Sequence, residues 1–156
     1  NSLGQAVACN EDCSVIVGYA GAASNQAWRW TQSGGAEYLG ELSNAAPNST
    51  YVAIGVSANA HLIVGSYFAF DPVLGNVNRP FLWTPADHLQ DLVAWLAFNG
   101  IDYGADLPDL VANSVTPDGR KILLNGLDEN DAHRSAIITI VPPDDVFNDG
   151  FDSTPI

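Results

Sequence analysis

The stretch Val56-Ser57-Ala58-Asn59-Ala60-His61-Leu62-Ile63-Val64-Gly65-Ser66 decides how this chain is read. A valine-led segment enters a polar turn, and an apolar β-branched run leaves it and ends in glycine, which is the pattern of a tight β-hairpin. The same phrase occurs twice more. Val7-Ala8 leads through a turn to Val15-Ile16-Val17-Gly18-Tyr19, and Val115-Thr116-Pro117-Asp118-Gly119 leads to Ile122-Leu123-Leu124. Repetition at an interval of about 50 residues signals stacked sheet units, each too small to bury its own faces.

A second phrase follows each copy. It reads Ala27-Trp28-Arg29-Trp30-Thr31, Pro80-Phe81-Leu82-Trp83-Thr84 and Ala136-Ile137-Ile138-Thr139-Ile140. Aromatic and β-branched residues at this density form strands. The expected fold is therefore all-β with one short helix: three copies of a four-stranded antiparallel, blade-like sheet, propeller-like or part of a propeller. The units cover about 5–44, 51–98 and 110–140 of a β-repeat domain spanning 1–141, with an acidic tail over 142–156. The helix is expected near 87–98. Asp87 with Gln90 makes a capping box, Leu89, Leu92, Val93 and Leu96 share a face, and Asn99-Gly100 is a stop signal.

Among the 156 residues, 47% are hydrophobic and 15% charged, enough apolar content to build a core. The net charge is −13, with 18 acids against five bases. That balance excludes nucleic acid and anionic membrane surfaces as favourable partners. Every apolar run falls short of the ~18 residues that a membrane-spanning helix needs. The chain starts at Asn1 and contains no methionine, so it reads as a mature product, a proteolytic piece or a trimmed chain.

Cys9 and Cys13 flank Asn10-Glu11-Asp12 in the first hairpin turn. Counted from the leading valine, this turn is two residues longer than its counterparts, and a disulfide is expected to staple it. A half metal site lacks the further Cys or His that it would need. A disulfide implies an oxidising, extracytoplasmic compartment.

The quoted phrases resemble the HAF family of bacterial extracellular repeats, whose units pair a VSADG-type turn and a VVVG-type strand with an AFRWT-type strand and a following Leu-Gly. Val56-Ser57-Ala58-Asn59-Ala60, Ile63-Val64-Gly65, Ala27-Trp28-Arg29-Trp30-Thr31 and Leu39-Gly40 carry the resemblance, which covers about residues 5–140. The family's His-Ala-Phe triplet is Gln26-Ala27-Trp28 in the first copy and Arg79-Pro80-Phe81 in the second. The resemblance implies a propeller-like β protein, secreted or on the bacterial cell surface, and brings no catalytic residue with it. The segment Val146-Phe147-Asn148-Asp149-Gly150-Phe151-Asp152 is similar to the short ending of many secreted proteobacterial proteins.

Site signatures are sparse, and no catalytic residue is assigned. His61, His88 and His133 lie far apart and outside any metal-binding pattern, and nucleophile-elbow and phosphate-loop patterns are absent from the sequence. Calcium is the one cofactor considered. Asp145, Asp149 and Asp152, or Asp128, Glu129 and Asp131, offer oxygen ligands at short spacing, although neither set fits an EF-hand loop. Tyr67, Phe68 and Phe70 flank a long hairpin loop and are the candidate patch for a protein or glycan partner. Trp28, Trp30 and Trp83 sit within the repeat phrases and are expected to pack between sheets.

The functional expectation is a secreted, non-catalytic β-repeat module for binding or assembly. The alternative is a structural subunit that joins copies through its sheet edges into an oligomer or filament. A glycoside-type hydrolase using Asp102 with Asp106 or Asp109 comes third. Three units fall short of the four or more blades of a closed propeller, so a homo-oligomer or a longer assembly is expected. Replacing Cys9 and Cys13 together by serine is expected to lower unfolding free energy by about 2 kcal/mol, the loop-entropy value for so small a ring. Urea titration of the variant and parent checks this.

Overall fold

A computed structural model describes residues 4–21, 25–71, 73, 75–101, 107, 109–128, 130 and 132–140. The Asp145, Asp149 and Asp152 set, Glu129, Asp131, Asp102 and Asp106 lie outside the described residues. Three antiparallel sheets follow one another along the chain. The first contains β1 (Gln5–Cys9), β2 (Val15–Ala20), β3 (Gln26–Thr31) and β4 (Gly35–Tyr38) in sequential order. The second contains β5 (Tyr51–Val56), β6 (Ile63–Asp71), β7 (Gly75–Thr84) and β8 (His88–Asp91), again in order. The third contains β9 (Asp109–Val115), β10 (Lys121–Leu127) and β11 (His133–Thr139), so its described residues form three strands where four were expected.

Strand pairing defines the true equivalence of the copies. Cys9 pairs with Ile16, Val56 with Ile63 and Val115 with Ile122. Each first strand then bulges at the same place, skipping Val7, Ile54 and Asn113 respectively. The structural counterpart of Val56 is thus Cys9, not Val7. Counted in this register the three turns have one length, which corrects the expectation of a longer first turn.

Their internal chemistry matches too. Asn10, Ser57 and Thr116 each donate a backbone N–H to the residue five positions on, at 2.9–3.0 Å. The side-chain oxygens of the same three residues accept the returning N–H of Val15, Leu62 and Lys121. Asp12, Asn59 and Asp118 accept from the N–H two residues ahead, closing an Asx turn. Cys13, Ala60 and Gly119 then take the left-handed conformation, with φ of 54°, 57° and 73°. The disulfide joins Cys9 to Cys13 across a turn that the other copies close by hydrogen bonds alone.

The turns also stack from sheet to sheet. Asn10 Nδ2 donates to the Ala58 carbonyl at 3.0 Å, and the Ala58 N–H donates to the Pro117 carbonyl at 2.8 Å. Ser57, fully buried, sits in the middle of this stack.

Two apolar clusters hold the sheets together. Val17, Ala27 and Leu39 from the first sheet meet Tyr51, Ile63, Tyr67, Phe81 and Trp83 of the second. Val64 and Leu82, on the opposite face of the second sheet, meet Leu110, Ala112, Ile122, Leu124 and Ile138 of the third. Alternation along the strands directs neighbouring residues to different clusters.

The glycine ending the apolar run is required by close approach. A Cβ at Gly18 would lie 1.9 Å from the Gln5 carbonyl oxygen, and one at Gly65 would lie 2.0 Å from that of Val52. An aromatic ring covers each glycine from the next strand, Trp28 over Gly18 and Phe81 over Gly65. In the third copy the pair is Leu124 opposite Ala136, so the bulk has moved to the other strand.

The helix α1 runs over Leu92–Phe98, with Asp91 as its N-cap. This corrects the expected start at Asp87. Asp87 instead ends a turn in which its N–H donates to Thr84 Oγ1, and residues 88–91 extend the sheet as β8. Pairing as β8 covers the edge of β7 and places Leu89 against the first cluster. Leu92 and Leu96 are fully buried in the second cluster. Gly100, with φ of 66°, follows the C-cap Asn99, as the stop signal anticipates.

Gly65→Ala is expected to cost about 1–3 kcal/mol through overpacking. A new Cβ there meets both the Val52 carbonyl oxygen at 2.0 Å and the Phe81 ring at 2.6 Å, so adding Phe81→Ala removes only the ring contact and leaves the backbone clash in place; denaturant titration of both variants is expected to show the double variant no more stable than Phe81→Ala alone. Acid sensitivity follows from three surface turns. Asp12 is held below the usual carboxylate value of 3.8 by hydrogen bonds from the Ser14 side chain and backbone, and Asp118 by the Thr116 hydroxyl and the Arg120 N–H. The N–H groups of Ala132 and Asn130 do the same for Asp128. A carboxyl that titrates lower when folded contributes stability above pH 3.8, and that contribution is lost as pH falls through the folded value. Melting midpoints are therefore expected to drop below about pH 4, with a shallower drop in Asp118→Asn; a pH series of thermal melts reads both.

Candidate functional site

The aromatic root of the long hairpin divides by strand alternation. Tyr67 turns inward, 1% exposed, and stacks on Tyr51 with ring centroids 5.3 Å apart. Phe68 and Phe70 remain at the surface, 40% and 61% exposed. Tyr67 is thus not available to an exposed patch, since it and Phe68 point to opposite faces of one strand.

Beside this hairpin, Asn44, Phe70, Arg79, Asp91 and Ala97 help to line an open cavity of about 300 Å³. Its polar groups are already committed. Tyr67 donates its hydroxyl proton to Asp91 Oδ2 at 2.5 Å and accepts from Asn44 Nδ2 at 3.0 Å. The other Asp91 oxygen caps the helix by accepting from the Ala94 N–H. Burial, and then the hydrogen bond to Asp91, push the Tyr67 phenol well above its ordinary pKa. The network joins the inter-sheet linker, the second sheet and the helix.

The other candidates serve local structure. Asp128 accepts from the N–H groups of Asn130 and Ala132 and pairs with Arg134, closing the last hairpin. Asp109 accepts from the Asn78 N–H at 2.9 Å, tying β9 to β7. His61, His88 and His133 lie exposed in separate turns or strand starts. Among the described residues there is no cluster of three or more metal-ligating side chains.

The outer face of the first sheet stands apart. Pairing places Ile16, Gly18 and Ala20 of β2, Gln26, Trp28 and Trp30 of β3, and Ala36 and Tyr38 of β4 on one side. Val15, Val17, Ala27 and Arg29 occupy the other side, toward the second sheet. None of the residues paired on this face is charged, although the chain carries 18 acids; Glu41 reaches only its edge, accepting from Gln26 Nε2 at 2.7 Å. Trp28 and Trp30 are only half-buried there and Tyr38 is 59% exposed. Together with Gly4, Ala20, Ala36 and Glu37 they line an open cavity of about 330 Å³. Glu37 is already paired with Arg29. Trp28 Nε1 is buried without a hydrogen-bond partner among the described residues.

The repeat register shows what this face is. Trp28 and Trp30 hold the positions of Phe81 and Trp83, and Ile16 that of Ile63. In the second sheet those residues are almost wholly buried against the first sheet, with Trp83 covered by the Arg29 guanidinium 4.3 Å from its ring centroid. The expectation of inter-sheet packing thus describes Trp83, whereas Trp28 and Trp30 present the same surface with no described sheet over it. Comparison of the chain with family models, curated proteins and solved structures finds no match.

Proposed function

We propose that this chain is a non-catalytic β-repeat module of a secreted or surface-exposed protein, which binds or assembles through the outer face of its first sheet. The observation that carries the reading is the uncharged Ile16, Trp28, Trp30 and Tyr38 surface, in which the first three hold the positions of Ile63, Phe81 and Trp83, buried against the first sheet. Large aromatic side chains bury much area at small entropic cost and dominate binding energy at interfaces. An open apolar face on an otherwise acidic protein is the usual form of a docking surface. The Cys9–Cys13 disulfide supports an oxidising compartment.

At dilute protein concentration, an uncharged apolar dye is expected to light up on the parent chain. Trp30→Glu and Tyr38→Glu should each lower its emission by about threefold or more while leaving the melting midpoint close to that of the parent. Undiminished dye emission in both folded variants would refute the reading.

A further inference from the structure

The two internal interfaces obey one pairing rule. The face bearing Val17 and Arg29 of the first sheet packs on the face bearing Ile63, Phe81 and Trp83 of the second. At the next interface, Val64 and Leu82 hold the positions of Val17 and Arg29, while Ile122, Ala136 and Ile138 hold those of Ile63, Phe81 and Trp83. The side chains change from pair to pair, but the faces that meet do not.

Among the described residues, one half of this rule is open on the first sheet and the other half on the third. The first sheet offers Ile16, Trp28 and Trp30, the receiving half. The third sheet offers Leu123 and Ile137, cross-strand partners at the positions of Val17 and Arg29, and Ile137 is 69% exposed. Both halves are apolar at their centres, and both belong to the same chain.

We infer that the occupant of the first sheet's outer face is the third sheet of a second copy, docked head to tail with Ile137 over Trp30 as Arg29 lies over Trp83. This inference rests on the docking reading above and names its partner. Such contact is heterologous, joining two different patches, so it forms a ring if the rotation closes and a filament if it does not. Two copies bring together six sheets, within the four to eight of closed propellers.

The test uses the full chain and light scattering across a concentration series. The parent is expected to exceed the protomer mass. Ile137→Glu and Trp30→Glu should each weaken association by about tenfold or more. Ile137 is exposed in the protomer, and Ile16→Glu, at the position of the buried Ile63, serves as the second first-sheet variant if Trp30→Glu fails to fold by circular dichroism. An equimolar mixture of Ile137→Glu with the first-sheet variant should then give a one-to-one dimer, because one intact junction remains.

Three outcomes overturn the inference. One is a parent that stays monomeric to hundreds of micromolar, a range in which even a weak specific interface associates. Another is loss of association on changing the first sheet but not Ile137, which marks a two-fold pairing of first sheets. The last is a mixture that stays monomeric. If any of these occurs while the dye response holds, the docking surface stands and its partner is another protein or a glycan.

Discussion

Ile63 and Val64 are adjacent in one strand, point to opposite faces of one sheet, and are both fully buried. No single sheet achieves this, because a sheet has two faces and only another layer can remove either from water. The second sheet is the layer on which the others depend. Its Tyr51, Phe81 and Trp83 side closes the first cluster and its Val64 and Leu82 side closes the second. Each large aliphatic or aromatic side chain so buried contributes about 1.5–3 kcal/mol. Among the described residues the first and third sheets each pack one face on the second, and Tyr38 and Ile137 on their other faces are more than half exposed.

The repeated turn sets the spacing of that stack. One Asx turn, one left-handed residue and one bulge recur in all three copies and bring the Ala58 and Pro117 backbones within hydrogen-bond distance. A bulge re-aims the strand and increases its twist, so repeating it at one position gives each sheet the same approach to its neighbour. Equivalent positions consequently face equivalent directions. Trp30 and Trp83 are physically comparable for this reason, and the difference in their burial reflects the presence of a neighbouring sheet rather than a difference in local structure.

Much of this was legible in the sequence. The three copies, their antiparallel order, the turn residues and the disulfide follow from local patterns, since β-branched runs, Asx turns and cysteines near one another act over a few residues. The register of the first copy was not legible. Val7 looks like the counterpart of Val56, yet the bulge skips Val7 and makes Cys9 the counterpart. Cross-strand hydrogen bonding decides that, and a valine is equally suited to either place. The helix start was obscured in the same way. Asp87 and Gln90 form a sound local capping pattern, but residues 88–91 pair with the edge of β7, where Leu89 packs on the first cluster.

Tyr67, Phe68 and Phe70 illustrate the same division for function. Their clustering is plain in the sequence, whereas the face each takes depends on strand phase, which buries Tyr67 on Tyr51 and leaves Phe70 in solvent. The candidate docking surface was hidden for a further reason. Trp28 and Trp30 lie in a phrase that, in the second copy, builds a core, and a residue's own sequence carries no record of which neighbour will cover it. Local patterns in the chain are enough to specify antiparallel sheets whose strands have two apolar faces. Which face of each sheet is covered emerges on packing, because burial belongs to the pair of surfaces that meet.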